Sequence, residues 1–161
     1  MEQAIISGVT HDTSEAKVTV AEVPDQPGIA ARLFGALADD DVNVDMIVQN
    51  TSTDGATDIS FTVPRSDLAA AMRISEDLWP KIGAKSVSYD AEIGRVSVVG
   101  AGMKTNPGVA ARVFRILASE DVNIEMISTS SIRISCVVRA RDVEKAVQAL
   151  HADFELNQAP A

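Results

Sequence analysis

The chain is short of the residues that build several common kinds of site. One cysteine in 161 residues leaves no disulfide to form within the chain, which agrees with a reducing compartment. Aromatic residues make up 4%, too few for the stacking platforms that grip single-stranded nucleic acid. Basic side chains number 14 against 23 acidic ones, a net charge of −9, and that balance disfavours polyanions and anionic membranes as partners. No apolar run approaches the ~20 residues of a spanning helix, and the N-terminus lacks the basic start and apolar core of a signal peptide. A soluble cytoplasmic protein is expected. What is abundant is small and aliphatic: 46% of the residues are hydrophobic, so the cores are built from Val, Ile, Leu, Ala and Met. Cys136, in the apolar run I-S-C-V-V, reads as a buried strand residue rather than a reactive thiol.

The chain also says one thing twice. Residues 25–47 read D-Q-P-G-I-A-A-R-L-F-G-A-L-A-D-D-D-V-N-V-D-M-I, and residues 105–127 read T-N-P-G-V-A-A-R-V-F-R-I-L-A-S-E-D-V-N-I-E-M-I. Self-similarity of this kind marks a duplicated unit, and the length then divides into two modules of roughly 70 to 80 residues. In the first, residues 17–22 alternate as a strand that ends at Val23-Pro24-Asp25-Gln26. Pro27 suits the first helical position, and Ile29, Leu33, Phe34 and Leu37 make the helix's apolar stripe. Asp39-Asp40-Asp41 reads as a solvated exit turn, because three adjacent carboxylates do not converge on one ion without a loop to fold them. Val42, Val44, Met46 and Val48 alternate with Asn43, Asp45, Ile47 and Gln49 as a strand. Thr53-Asp54-Gly55 closes a hairpin to a return strand at 58–63. Ser66-Asp67 caps a helix bearing Leu68, Ala71, Met72, Ser75 and Leu78, and 85–89 is a last short strand. The order is βαββαβ.

The second module offers a strand at 95–99, a Gly-rich turn, a helix from Pro107, a strand from Asn123, a strand near 132–138 and a helix from about 141 to 152. Its tail, 154–161, is too short and too poor in alternation for a sixth element. Residues 4–9, A-I-I-S-G-V, are a strand with no module of their own. The economical inference is that this strand completes the second sheet and leaves no open edge there. The expected fold is α+β: two βαββαβ domains with antiparallel sheets and helices on one face, the first domain (16–91) nested within the second (1–15 and 92–161).

This architecture hosts unrelated functions, so the residues must choose. An RNA-binding module needs exposed aromatics on its central strands; Val18, Val20, Ile59 and Phe61 offer one. A small phosphatase needs an Arg and backbone donors around phosphate, whereas the turn Pro24-Asp25-Gln26-Pro27-Gly28 carries an acid that repels it. Gly8, Gly94, Gly100 and Gly102 have no phosphate-loop spacing. A small-ligand sensor fits better. A helix N-terminus opened by Pro-Gly suits a carboxylate, and a nearby acid suits an ammonium, which together describe a free amino acid. Asp25 serves equally as that acid or as the helix N-cap.

The stretches A-I-I-S-G-V, V-Q-N, V-G-A-G-M-K-x-x-P-G-V and I-S-T-S-x-I-R-I-S, with the paired Pro-Gly turns, resemble the tandem ACT domains of the aspartokinases over nearly the whole chain. The start at Met1, with no kinase domain before it, resembles the separate β subunit of α2β2 members. The resemblance implies a cytoplasmic, noncatalytic regulatory subunit of a homodimeric kind that partners a catalytic α subunit. Threonine, and often lysine, then binds between the first ACT domain of one chain and the second of the other, to inhibit the kinase. It needs no cofactor, metal, nucleic acid or membrane. The threonine pocket it implies comprises Asp25, Gln26, Pro27, Gly28, Ile29, Ala30 and Gln49, with Val122, Asn123 and Ile124 from the partner; Asn123 also reads as the turn into its strand. A second pocket comprises Met103, Thr105, Asn106, Pro107, Gly108 and Val109, with Asn43, Val44 and Asp45 opposite and Ser130 nearby. Two departures stand out: Asn106 replaces a common His, and Ser131 a common Glu. The latter removes a partner for a second ammonium and leaves threonine recognition untouched. The alternative is a free-standing amino-acid sensor acting on another biosynthetic enzyme or a transcription factor.

Overall fold

The computed structural model describes residues 5–50, 54–103 and 106–154. The elements run β1 (Ile5–Asp12), β2 (Glu15–Pro24), α1 (Ile29–Asp39), β3 (Ile47–Gln49), β4 (Ala56–Pro64), α2 (Leu68–Leu78), β5 (Ser86–Asp90), β6 (Ile93–Ala101), α3 (Gly108–Ser119), β7 (Met126–Thr129), β8 (Arg133–Arg139) and α4 (Val143–Asp153). Two compact units result: Ser14–Ala91, and the residues from Glu92 on together with those up to Thr13. Among the described residues no helix is long and apolar enough to cross a membrane.

In the first unit the sheet order is β3-β4-β2-β5. Period-two alternation puts Val18 and Val20 of β2 and Ile59, Phe61 and Val63 of β4 on one face, where Leu33 and Leu37 of α1 and Ala71 of α2 bury them. Phe34 meets Phe61 edge to face, ring centroids 5.4 Å apart, so this aromatic is core and unavailable for stacking on a base.

The second unit repeats the plan with a substituted part. Its sheet order is β1-β6-β8-β7, and β1 pairs antiparallel with β6 from Ile5↔Ala101 to Asp12↔Arg95. It thus holds the place that β5 holds in the first sheet, which makes the first domain an insertion in the second. The strand runs three residues beyond the expected 4–9, because the ladder continues through His11↔Val96 to Asp12↔Arg95. Residue 4 lies outside the described residues, as do 51–53, 104–105 and 155–161. The core joins Val96, Val98, Ile134 and Val138 to Val113 and Leu117 of α3 and Ala146 and Leu150 of α4.

Three local expectations need correction. Pro27 is not the first residue of a helix: Gly28 sits at φ 93, a left-handed conformation that a right-handed helix cannot include, so α1 starts at Ile29. In the second repeat Pro107, at φ −63, stands at the N-cap of α3. Asp67 makes no side-chain cap for α2; a 3₁₀ turn over Arg65–Asp67 leads in, and the Leu68 N–H bonds to the Arg65 carbonyl instead. The strands expected from Val42 and Asn123 pair only over Ile47–Gln49 and Met126–Thr129. Burial still alternates before β3, with Val42 and Met46 inside, but Asp45 and Met46 share Thr62 as partner: its carbonyl takes the Asp45 N–H and its hydroxyl the Met46 N–H, each at 3.0 Å, so the regular ladder begins only at Ile47.

Both repeat helices end alike. Asp41 at φ 56 and Asp121 at φ 57 take the left-handed position usually given to glycine. The Val42 N–H reaches the Leu37 carbonyl at 3.0 Å and the Asp41 N–H the Ala38 carbonyl at 3.0 Å; Val122 to Leu117 (2.9 Å) and Asp121 to Ala118 (3.0 Å) repeat the pattern. These are the paired bonds of a Schellman closure, with Val42 and Val122 buried against the helix they leave.

Gly94 of β6 is buried, and a Cβ there would lie 2.3 Å from a Val143 methyl carbon. Gly94→Ala is expected to cost about 1–3 kcal/mol through overpacking, while Asp121→Gly, which relieves a left-handed non-glycine residue, gains up to about 1 kcal/mol; urea unfolding checks both. Cys136 is buried, and desolvation lifts its thiol from 9.0 to about 11. The native thiol is therefore expected to resist a disulfide reagent at pH 8 and to react once unfolded. Because the unfolded state loses this proton first, the stability it supports is complete below pH 9 and falls as pH rises from about 9 to about 11.

Candidate effector site

Each unit places the start of its first helix beside the hairpin that follows that helix, β3–β4 in the first unit and β7–β8 in the second. In the first unit the connection from β2 to α1 is a tight surface turn. The Asp25 N–H donates to the Gly55 carbonyl at 2.9 Å and the Gln26 N–H to the Pro24 carbonyl at 3.0 Å, which ties the turn to the hairpin. Gly28 accepts the Arg32 N–H at 3.0 Å as the first helical bond. No side chain caps α1, so Asp25 is not its N-cap; the carboxylate lies exposed on the turn. Asp25, Gln26, Pro27, Gly28 and Gln49 are all exposed, and Ile29 and Ala30 are half-buried. A small cleft of about 260 Å³ in this unit is lined by other residues, among them Glu22, Asn50, Asp54 and Asp58. Glu22 occupies a left-handed conformation at φ 51, and its N–H is held by the Asp58 carboxylate at 2.9 Å.

The second unit shows the better-formed site, a cleft of about 560 Å³ between the start of α3 and the β7–β8 hairpin. Met103, Asn106, Pro107, Val109 and Ala110 form one wall, and Thr129, Ser130, Ser131 and Ile134 the other. The loop that brings β6 to α3 is shaped by Gly102 at φ 72. The Asn106 amide donates to the Gly102 carbonyl at 2.7 Å, and its backbone N–H to the Met103 carbonyl at 3.2 Å. The hairpin is closed by the Ser130 N–H on the Arg133 carbonyl at 2.8 Å and by the Ile132 N–H on the Ser130 hydroxyl at 3.3 Å. No side-chain bond caps α3; the Val109 N–H turns back to the Asn106 carbonyl at 3.2 Å, and the positive end of the helix dipole lies at the first turn, whose Val109 and Ala110 line the cleft.

Of the residues expected in this second pocket, Met103, Asn106, Pro107, Val109 and Ser130 line the cleft, and Gly108 opens the helix beside them. Thr105 lies outside the described residues. Asn43, Val44 and Asp45 belong to the first unit, where Asn43 and Asp45 are exposed just after the α1 closure; Val122, Asn123 and Ile124 hold the same place after α3, with Val122 buried and Asn123 exposed. Three lining residues were missed, Ala110, Thr129 and Ile134, while Ser131, noted as standing where a Glu is common, lines the cleft. A signal existed for Thr129, because it occupies in the second repeat the position of Gln49 in the first. Ile134 could not be assigned without the strand register that sets it opposite Thr129. Among the described residues no group of three or more His, Cys, Asp or Glu side chains converges to hold a metal. The chemistry on offer is recognition: helix N–H groups, hydroxyls and an amide over an apolar floor.

An ACT domain family model matches residues 17–77 and 96–154. The chain is 51% identical over 158 residues to the aspartokinase of Corynebacterium glutamicum, covering 97% of this chain and 38% of that protein. It is 49% identical over 161 residues to the aspartate kinase of Pseudomonas fluorescens, covering 39% of it, so it spans well under half the length of these curated relatives. A chain in the crystal structure of aspartokinase alpha and beta subunits superposes with a TM-score of 0.88 at 43% identity, over 94% of this chain and 99% of that one. The ligand-free regulatory subunit of aspartate kinase from Thermus thermophilus gives a TM-score of 0.88 at 38% identity, over 92% and 98%. With two matched copies, one nested in the other, the chain belongs to the ACT domain family, in the tandem form found in the regulatory part of aspartokinases.

Proposed function

We propose that the chain is a cytoplasmic, noncatalytic regulatory part of an aspartate kinase that binds threonine and inhibits a catalytic partner. The observation that carries this reading is the cleft at the start of α3, set in a chain 38% identical along nearly its whole length to a regulatory subunit of aspartate kinase. A helix N-terminus holds the effector's carboxylate through backbone N–H groups and the dipole. In the first domain the exposed Asp25 holds the ammonium. Neither the turn at 25–30 nor the strand entry at 122–124 encloses an amino acid alone, so a second copy of the chain supplies the missing wall of the first turn with Val122, Asn123 and Ile124.

Binding then couples to assembly. If threonine is enclosed only by two chains, it strengthens self-association, and dilution weakens threonine affinity by the same free energy. A catalytic partner would sense that equilibrium rather than the ligand itself. Calorimetry with threonine, lysine and both tests the reading. Threonine is expected to bind; no heat from threonine would overturn it.

Asp25→Ala is expected to weaken threonine binding by about 1.5–3 kcal/mol, the range for a hydrogen bond to a charged group, with unfolding unchanged; an unaltered titration would remove Asp25 from the site. Asn123→Ala is expected to lower affinity and threonine-driven association together. Sedimentation velocity with and without threonine checks the coupling, and a monomer that binds threonine as tightly as the dimer would contradict it.

A further inference from the structure

We propose that Asp54-Gly55, in the hairpin between β3 and β4, is a site of spontaneous backbone isomerisation: the aspartate converts through a cyclic imide to isoaspartate, and the conversion unties the turn at Asp25. The chemistry balances with no reagent besides water. The Gly55 backbone nitrogen attacks Cγ of the neutral Asp54 carboxyl; a C–N bond forms, the Cγ–OH bond breaks, and the nitrogen's proton leaves with that hydroxyl as water. Water then opens the five-membered ring. Adding at Cγ restores aspartate. Adding at the backbone carbonyl of residue 54 routes the chain through the side-chain carbon, one atom longer, and leaves the α-carboxylate as a side group. Neither the mass nor the formal charge changes.

Three features place this chemistry here. Asp54 is the chain's one aspartate followed by glycine, and no asparagine is; elsewhere the next side chain crowds the attacking nitrogen. Both residues are exposed, and Gly55 stands at φ 78 with nothing within 4 Å of the position a Cβ would take, so the ring has room to form. The Gly55 nitrogen also lies outside the strand ladder, whose last pair is Pro24↔Ala56, so closing the ring breaks no ladder bond. The chain carries its own controls. The corresponding hairpin of the second domain reads Ser130-Ser131-Ile132-Arg133 and has no aspartate, and the exposed Asp58 is followed by Ile59 within β4.

The consequence reaches the neighbouring turn. The Gly55 carbonyl accepts the Asp25 N–H at 2.9 Å, the bond that ties the β2–α1 connection to the hairpin. An extra backbone atom immediately before Gly55 moves that carbonyl and passes the Asp25 N–H to water. Ageing of one peptide link therefore loosens the turn that leads into α1, whatever that turn binds.

The test ages the full chain in neutral buffer, digests it and locates isoaspartate by electron-transfer fragmentation. Isoaspartate is expected to build up at residue 54 and to stay at background at Asp58 and every other aspartate. Asp54→Glu, which keeps the charge but needs a six-membered ring, abolishes it; Asp54→Asn, which loses ammonia in place of water, hastens it. In the isomerised fraction the Asp25 amide exchanges about 2- to 10-fold faster, the ratio for one neutral hydrogen bond, while aged Asp54→Glu shows no change. No isoaspartate at residue 54, or isoaspartate only when the chain is unfolded in urea, overturns the site. An unchanged Asp25 exchange rate in the isomerised fraction overturns the link to the turn.

Discussion

The pairing of β1 with β6 is the constraint on which the second domain depends. Without β1, one side of β6 would present a row of unpaired N–H and C=O groups, and Ile6 and Val9 would leave the core they pack against. The partners lie far apart in sequence, from Asp12 opposite Arg95 to Ile5 opposite Ala101, and closing that loop carries an entropy cost that grows only slowly with length. The inserted domain reduces even that. Its first and last strands are hydrogen-bonded neighbours, with Lys17 opposite Asp90, so both ends of the insert emerge side by side. Asp12 and Arg95 then meet across the β1–β6 ladder, 3.6 Å apart.

That closed sheet is what gives the cleft its shape. β6 delivers the chain to Gly102, whose positive φ turns it into α3, and β8 carries Ile134 beneath the site. At the far end of each repeat helix, a Schellman closure through a left-handed Asp buries one Val and points the next Asn outward. The same local chemistry, used twice, thus fixes both a helix start and a strand entry in each domain.

Much of this was legible in the sequence because local rules and the global fold agree. The repeated Pro-Gly and Asp-Val-Asn turns, the helical stripes and the alternating strands mark the duplication, and the orphan strand before the first repeat marks the nesting. What was not legible depended on register or on positive φ. A helix start at Pro27 was favoured by proline's fixed φ, but Gly28 took the left-handed state and moved the start on. Ser66-Asp67 looked like a cap, but a 3₁₀ turn satisfied the same N–H from the backbone. The part of the cleft wall formed by Thr129 and Ile134 stayed hidden because membership depends on which face each residue takes once β7 and β8 pair.

The dependence of the second domain on β1 is tested most directly by amide hydrogen exchange on a chain lacking residues 1–12. The account predicts that amides of β6 and β8 lose their protection while those of β2 and β4 keep theirs, since the first domain closes its sheet with β5. Protection of β6 equal to that in the full chain would contradict it.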